Sequence, residues 1–308
     1  MPSDNMLTLH EIGVEYATKQ PGMIDSLTEE SPILAKIKWI AASHKLWNVA
    51  EYVKDIKAPA FVALDAPLPS LGVSTDLKHI DLSAMGGTME VPSDRAAKFG
   101  GFQKYFAKKQ PLILKKAGND TERAIVLNYL LEGAIKNKNV YDAGGSGKGW
   151  FLLACRFDQE VNVGLYDPDQ FASGRLFNIS FPYNGAEHIL HSSEYEGVLG
   201  YSVVYRTHFG YQLLDPKRTV AAIVNIDMEH HPTVNQIDDM LAQVRAKSGN
   251  TFIFTCARGK IYGINPWKEE HIFLTNGDKN ANTMIESWGD IPIVTSYNIA
   301  DQINHVSV

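Results

Sequence analysis

The chain has 308 residues, enough for one large domain or two modest ones with a sizeable core. Apolar residues make up 44% and charged residues 21%, as in ordinary folded proteins, and a net charge of −6 with pI near 5.9 argues against gripping nucleic acid through a broadly basic surface, though not against enclosing it. The two cysteines, Cys155 and Cys256, stand in apolar runs and suit a reducing cytoplasm, no Cys/His spacing suggests zinc, no signal peptide is read at the N-terminus, and no apolar run approaches the roughly 20 residues of a membrane span.

Residues 1–45 read as an extended arm with short helices, carrying LTLHEIGVEYAT and the turn IDSLTEESPILAKIKW. Residues 46–93 hold Pro59, Pro67, Pro69 and Pro92 with Gly72, Gly86 and Gly87, and only short β-like runs, KLWNVAEYV and DLKHIDLS. Such a stretch makes a poor core but a long two-stranded protrusion, which needs a neighbour to lie on. A helix is expected from Asp94 to Lys109, with Pro111 breaking or kinking the chain just beyond it. A second helix is expected from a cap at Asp120 or Thr121, with Leu127, Leu130, Leu131, Ala134 and Ile135 on one face. It ends in the lysine- and asparagine-rich KNKN, so the glycine-rich loop beyond it reads as a helix exit.

WFLLACRF and VNVGLY, joined by DQE, read as a hairpin. From Tyr201 to Leu213 aromatic and apolar residues alternate strictly with a second set, giving a strand of about 45 Å if it runs to Leu214. A turn at Asp215-Pro216-Lys217-Arg218 and a return over Thr219–Ile226 complete a predicted long hairpin at 201–226. Thr233 and Gln236 have capping-box spacing ahead of the stripe Val234, Ile237, Met240, Leu241 and Val244, with Arg245 and Lys247 in the last turn and Gly249 as the stop. A buried strand TFIFTCA, loops around Asn276-Gly277 and a strand in WGDIPIVTSYNI come next, and no internal repeat is present.

The loop Gly144-Gly145-Ser146-Gly147-Lys148-Gly149 invites a phosphate-binding reading and, with it, a nucleotide-binding enzyme. A P-loop aligned on Gly147-Lys148 would put Asp142 where its first glycine belongs and Gly149 where its magnesium-binding hydroxyl belongs, and no helix is expected to follow. A nucleophile elbow fails at Lys148. Asp227, Glu229, His230 and His231 form one candidate metal cluster, and His188 with His191 another, but neither has a frame of three or four ligands at fixed spacing. The pairs Asp167/Asp169 and Asp238/Asp239 read as solvated turn and helix charges. No catalytic, cofactor or metal residue is assigned, and no enzyme activity is expected.

In the order of its parts, and most specifically in LTLHEIG, ESPILAKIKW, YRTHFGYQLLDPKRTVAAIVNID and WGDIPIV, the chain resembles the major capsid proteins of tailed double-stranded DNA bacteriophages, the Hong Kong 97-type fold, closest to the short-tailed branch. The resemblance implies an α+β fold: an N-terminal arm (1–45), an extended β-hairpin E-loop (46–93), a peripheral domain with a spine helix (94–144), an axial domain with a mixed or antiparallel sheet together with the long hairpin (145–285), and a C-terminal strand and tail (286–308). Pro111 and Gly118 depart from an unbroken spine helix. The family's function would make the chain a shell subunit that assembles with copies of itself into hexamers and pentamers. The shell would hold double-stranded DNA without sequence-specific binding, in a virion made in the bacterial cytoplasm and not in a membrane.

The arm motif begins within a few residues of Met1, so no protease-removed prosegment is expected. A separate scaffolding protein, a portal and a decoration or cement protein are the implied partners. Covalent cross-linking is not carried over. Trp39, Trp47, Tyr52, Pro67 and Pro69 are the expected assembly contacts, as aromatic and rigid residues in segments that lack a core of their own. An encapsulin-like compartment is the alternative within the same fold.

Overall fold

The computed structural model describes residues 31–62, 67–158, 160–171, 178–267 and 286–308. The predicted helices of the arm before residue 31 and the loops around Asn276-Gly277 lie outside them. Ile33, Leu34 and Ile37 enter the core in a tight turn, and β1 (Trp39–Ala41) comes directly after. Strands β2 (Trp47–Lys57) and β3 (Gly72–Asp81) pair only with each other, antiparallel. One residue later β4 (Ser83–Pro92) belongs to the main body, so the protrusion spans the β2–β3 ribbon and not the whole of 46–93. The buried joint residue Leu82 packs with Ala42 and Leu165 and donates its amide to the Leu46 carbonyl at 2.8 Å. Asn48 Nδ2 donating to Gln212 Oε1 at 2.7 Å, and Lys78 Nζ to the Leu213 carbonyl at 3.0 Å, complete the root of the ribbon.

After α1 (Ser93–Lys98), Gly100 and Gly101 take φ of 83° and 111° and turn the chain into α2 (Phe102–Ala124). A π-helical stretch (Ile125–Leu131) and α3 (Glu132–Lys136) continue the rod without a gap, to about 50 Å at 1.5 Å per residue. The expected interruption at Pro111 and Gly118 is thus corrected, as is the helix start at Asp120 or Thr121, where Thr121 Oγ1 instead donates to the Ala117 carbonyl one turn back. Proline removes one bond to the carbonyl four residues earlier, and at the exposed Pro111 water can take that bond over. The apolar stripe of the predicted second helix is buried at Leu130, Leu131 and Ala134.

β5 (Val140–Asp142), β6 (Trp150–Arg156) and β7 (Asn162–Tyr166) come next, then α4 (Pro168–Phe171), β8 (Asn178–Ser180), β9 (His188–Ile189), β10 (Leu199–Leu213), α5 (Pro216–Thr219) and β11 (Val220–Ile226). The alternation found in the sequence is the 15-residue β10. It pairs with β4 along one edge, and with β9, β8 and β7 in turn along the other. β11 does not return along it. It lies between β5 and β6 in a second sheet of order β13-β14-β12-β6-β11-β5, which includes β12 (Thr251–Thr255), β13 (Ser287–Trp288) and β14 (Ile291–Thr295).

The predicted hairpin at 201–226 is therefore two strands of different sheets, with α5 in place of its turn. The β6–β7 hairpin is corrected in the same way, since β7 joins β1 and β10. Burial is the reason. Every residue of β6 and β11 is buried, and strands buried on both faces belong in the middle of a covered sheet. The rod end, α6 (Val234–Gln243) and α7 (Ala257–Gly263) pack against that sheet. The predicted capping box of Thr233 and Gln236 is formed in both directions. Arg245, expected in the last turn, lies past the helix end in the left-handed region at φ 52°.

Candidate assembly surface

The ribbon β2–β3 is where apolar side chains meet solvent. Successive residues of a strand point to opposite faces, so Val73, Thr75 and Leu77 share one face of β3. Their partners across the ribbon are Ile56, Val53 and Glu51. Val53 and Ile56 are three apart and would face opposite ways in a regular strand. The β-bulge between Val53 and Asp55 inserts the extra residue that brings them to the same face. Val53, Ile56, Val73 and Leu77 are 53–68% exposed on that face, and Phe61, Leu68 and Leu71 continue the exposed apolar surface toward the ribbon's end. The opposite face is polar, with Asp55 across from Ser74 and Tyr52 across from Asp76.

The five residues expected as contacts fall in three places. Trp39 is half-buried inside the subunit, lying on Gly164 with its Nε1 donating to the Leu34 carbonyl at 3.4 Å. Trp47 stacks on His44 at 3.5 Å and borders His79, at the root of the ribbon. Tyr52 is half-buried on the polar face, with its hydroxyl 3.5 Å from Asp76 Oδ2. Pro67 and Pro69 are exposed on either side of Leu68. The larger apolar set of Ile56, Phe61, Val73 and Leu77 carried no sequence signal, because charged residues alternate irregularly around it. A cleft of about 1400 Å³ separates β2 from the body, lined by 48–54 on one side and by Lys38, Gln212 and Arg218 on the other.

The glycine loop has a structural explanation. It is not a helix exit: α3 ends at Lys136, Lys138 turns the chain at φ 56°, and β5 intervenes. The loop crosses the end of β11, with the Ala143 amide on the Val224 carbonyl and the Gly145 amide on the Asn225 carbonyl. A Cβ at Gly145 would come within 2.4 Å of that same Asn225 oxygen. Gly149 pairs in both directions with Ile303 of the C-terminal tail. The next element is β6 and not a helix, so no helix N-terminus supplies amides for a phosphate. Gly145→Ala is expected to destabilise the protein by about 2 kcal/mol or more, whereas Gly147→Ala, with open space around it, changes stability by less than ~0.5 kcal/mol in urea unfolding. Wild type and Lys148→Ala are expected to show equal, negligible ATP binding by calorimetry.

Of the candidate metal residues, Asp227, His230 and His188 are occupied locally. Asp227 Oδ1 accepts from the Glu229 and His230 amides at 2.9 and 2.8 Å and contacts His230 Nδ1 at 2.9 Å. His188 Nδ1 lies 3.0 Å from the Ala186 carbonyl and its Nε2 2.9 Å from Ser202 Oγ. Among the described residues no three His, Cys, Asp or Glu side chains converge on a metal position. Cys155 and Cys256 are buried and unpaired, and burial pushes both thiols above their ordinary range. Partial burial raises the Asp227 carboxyl, but the Glu229 and His230 amides and the His230 ring outweigh it and hold the pKa below the ordinary value. A carboxylate depressed on folding contributes stability above its unfolded pKa and loses it as pH falls through the folded one. Asp227→Asn is accordingly expected to flatten the acid limb of the stability-against-pH curve below about pH 4, read by thermal melts across pH.

Two sheets set on a long helix, with a β-ribbon reaching out of the body, make a fold that solved phage capsid structures share. A chain of the bacteriophage Epsilon15 structure matches with a TM-score of 0.53 and 12% identity over 84% of each chain. The bacteriophage JBD30 capsid matches with a TM-score of 0.51 and 9% identity, over 86% of this chain and 90% of that one. The holo-SrpI encapsulin complex from Synechococcus elongatus gives a TM-score of 0.45 at 12% identity, over 66% of this chain and 90% of the other. No family model matches the sequence, and none of the curated proteins does. Among the described residues no helix is long and apolar enough to cross a membrane.

Proposed function

We propose that this chain is the major capsid subunit of a phage, a structural protein without catalysis that assembles into hexamers and pentamers of an icosahedral shell around double-stranded DNA. The observation that carries this reading is the ribbon. A two-stranded ribbon is marginal alone, and one that also turns an apolar face to solvent needs another copy to cover it. A contact from the ribbon of one subunit to the body of the next is heterologous, and such contacts close into rings when the rotation between neighbours divides a full turn. Pro67 and Pro69 are proposed contacts beside Leu68, while Trp39, Trp47 and Tyr52 are proposed to act at the root and polar side of the ribbon. A scaffolding protein, a portal and a decoration protein are the proposed partners, and the virion, assembled in the bacterial cytoplasm, the proposed location.

Sedimentation velocity with negative-stain microscopy on the expressed protein, with and without lysate of infected cells, tests the reading. Closed shells or capsomer-sized rings of uniform diameter are expected. A monodisperse monomer in both samples would overturn it.

A further inference from the structure

From Arg95 to Lys116 the chain carries seven basic residues and no Asp or Glu, within a protein of net charge −6. Five of them, Lys104, Lys108, Lys109, Lys115 and Lys116, are exposed on α2. At 3.6 residues per turn Lys104, Lys108 and Lys115 fall on one stripe about 16 Å long, with Lys109 and Lys116 about 100° further round the helix. Lys116 is neutralised by Asp120 at 2.6 Å, and Lys108 lies 5.8 Å over the Phe99 ring.

Helix stability does not account for this placement. The first turn of α2 has no acidic residue and its N-cap, Gly101, makes no side-chain cap bond. Lysine near a helix N-terminus opposes the macrodipole. Lys104, in the first turn, therefore works against its own helix, while the charge of the whole stripe is complementary to a polyanion.

We infer that the lysine face of α2 is a contact surface for the phosphate backbone of duplex nucleic acid, read without base specificity. Lysine is a flexible point charge that binds phosphate without the bidentate geometry arginine uses to read guanine. Among the side chains described from Lys104 to Lys116, the exposed ones are the five lysines and Pro111, and the one exposed aromatic that borders them, Phe99, is covered by the Lys108 ammonium. The surface stands whether or not the chain forms shells; that it marks the inward side of a shell rests on the capsid reading.

The test is fluorescence anisotropy of the full-length protein with a short labelled duplex of mixed sequence. Wild type is compared with the triple variant Lys104→Gln, Lys108→Gln, Lys115→Gln and with a control of equal charge change, Lys36→Gln, Lys148→Gln, Lys247→Gln. Wild type and control are expected to bind alike. Losing three phosphate contacts should lower the slope of log affinity against log salt by about 2.7, so that between ~50 and ~200 mM salt the wild type weakens about 40-fold more than the triple variant. Equal affinity and slope in the triple variant would overturn the inference. So would binding of poly-glutamate in place of the duplex, lost in the same variant, which would give the stripe to an acidic polypeptide. Shell formation, scored separately by microscopy, tests the capsid reading and not the lysine face.

Discussion

Subunits carrying Val73→Asp with Leu77→Asp are expected to fold normally and fail to assemble. Both side chains are more than 60% exposed in the subunit, so aspartate there buries no charge and removes little packing. The melting temperature should therefore stay within a few degrees of wild type, as for other surface changes. In the shell the same positions would be covered, and burying unpaired carboxylates against apolar surface costs several kcal/mol at each contact. The penalty repeats at every copy, so shells should be lost and not merely weakened. Sedimentation velocity reads the assembly and circular dichroism the fold. Asp55→Ser, on the polar face of the same ribbon, is expected to assemble. Shells at wild-type yield from the double variant would move the contact away from this face.

The second large effect is expected at Glu122, a fully buried carboxylate on α2. It accepts from the amides of Ile33 and Leu34 at 2.9 and 3.2 Å, from Asn298 Nδ2 at 2.9 Å and from the Ser296 hydroxyl. One side chain thereby ties the long helix to the turn at residues 31–37 and to the turn after the last strand. Glu122→Ala leaves the Ile33 amide and the Ser296 hydroxyl without an acceptor, while the Leu34 amide keeps the Ser31 carbonyl at 3.0 Å and Asn298 Nδ2 the Ser31 hydroxyl at 3.5 Å. The cost is about 3 kcal/mol, since each unsatisfied group costs roughly 1–3 kcal/mol. The expected fall in melting temperature is roughly 10 °C. Glu122→Gln keeps one oxygen and should fall between the two. A loss under ~1 kcal/mol in urea unfolding would mean that water replaces the carboxylate at the site.

Much of this molecule could be read one element at a time. The alternation that makes β10, the apolar runs of β6 and β11, the capping box at Thr233 and the stripe on α6 each depend on neighbours within a few residues. A propensity or a period carries that much. The shortage of core in the protrusion was legible too, as were the exposed prolines at its end. The apolar face of Ile56, Val73 and Leu77 was not, because it exists only through a bulge defined against the partner strand. Nor was the role of Glu122, whose donors are more than 80 residues away in either direction. Pro111 misleads because a proline's local penalty says nothing of the packing that holds the rest of the rod.

By itself the sequence determined the strands β6, β10 and β11, the cap and apolar stripe of α6, and the ribbon stretch that has no core of its own, because periodicity and caps are written locally. Only the tertiary structure decided that β10 and β11 part into two sheets and that the helix runs through Pro111. It also decided that Gly145 and Gly149 make room for the end of β11. Strand partners, buried donors and close backbone approaches are chosen by competition among distant segments for burial and hydrogen bonds, and no local pattern records the outcome of that competition.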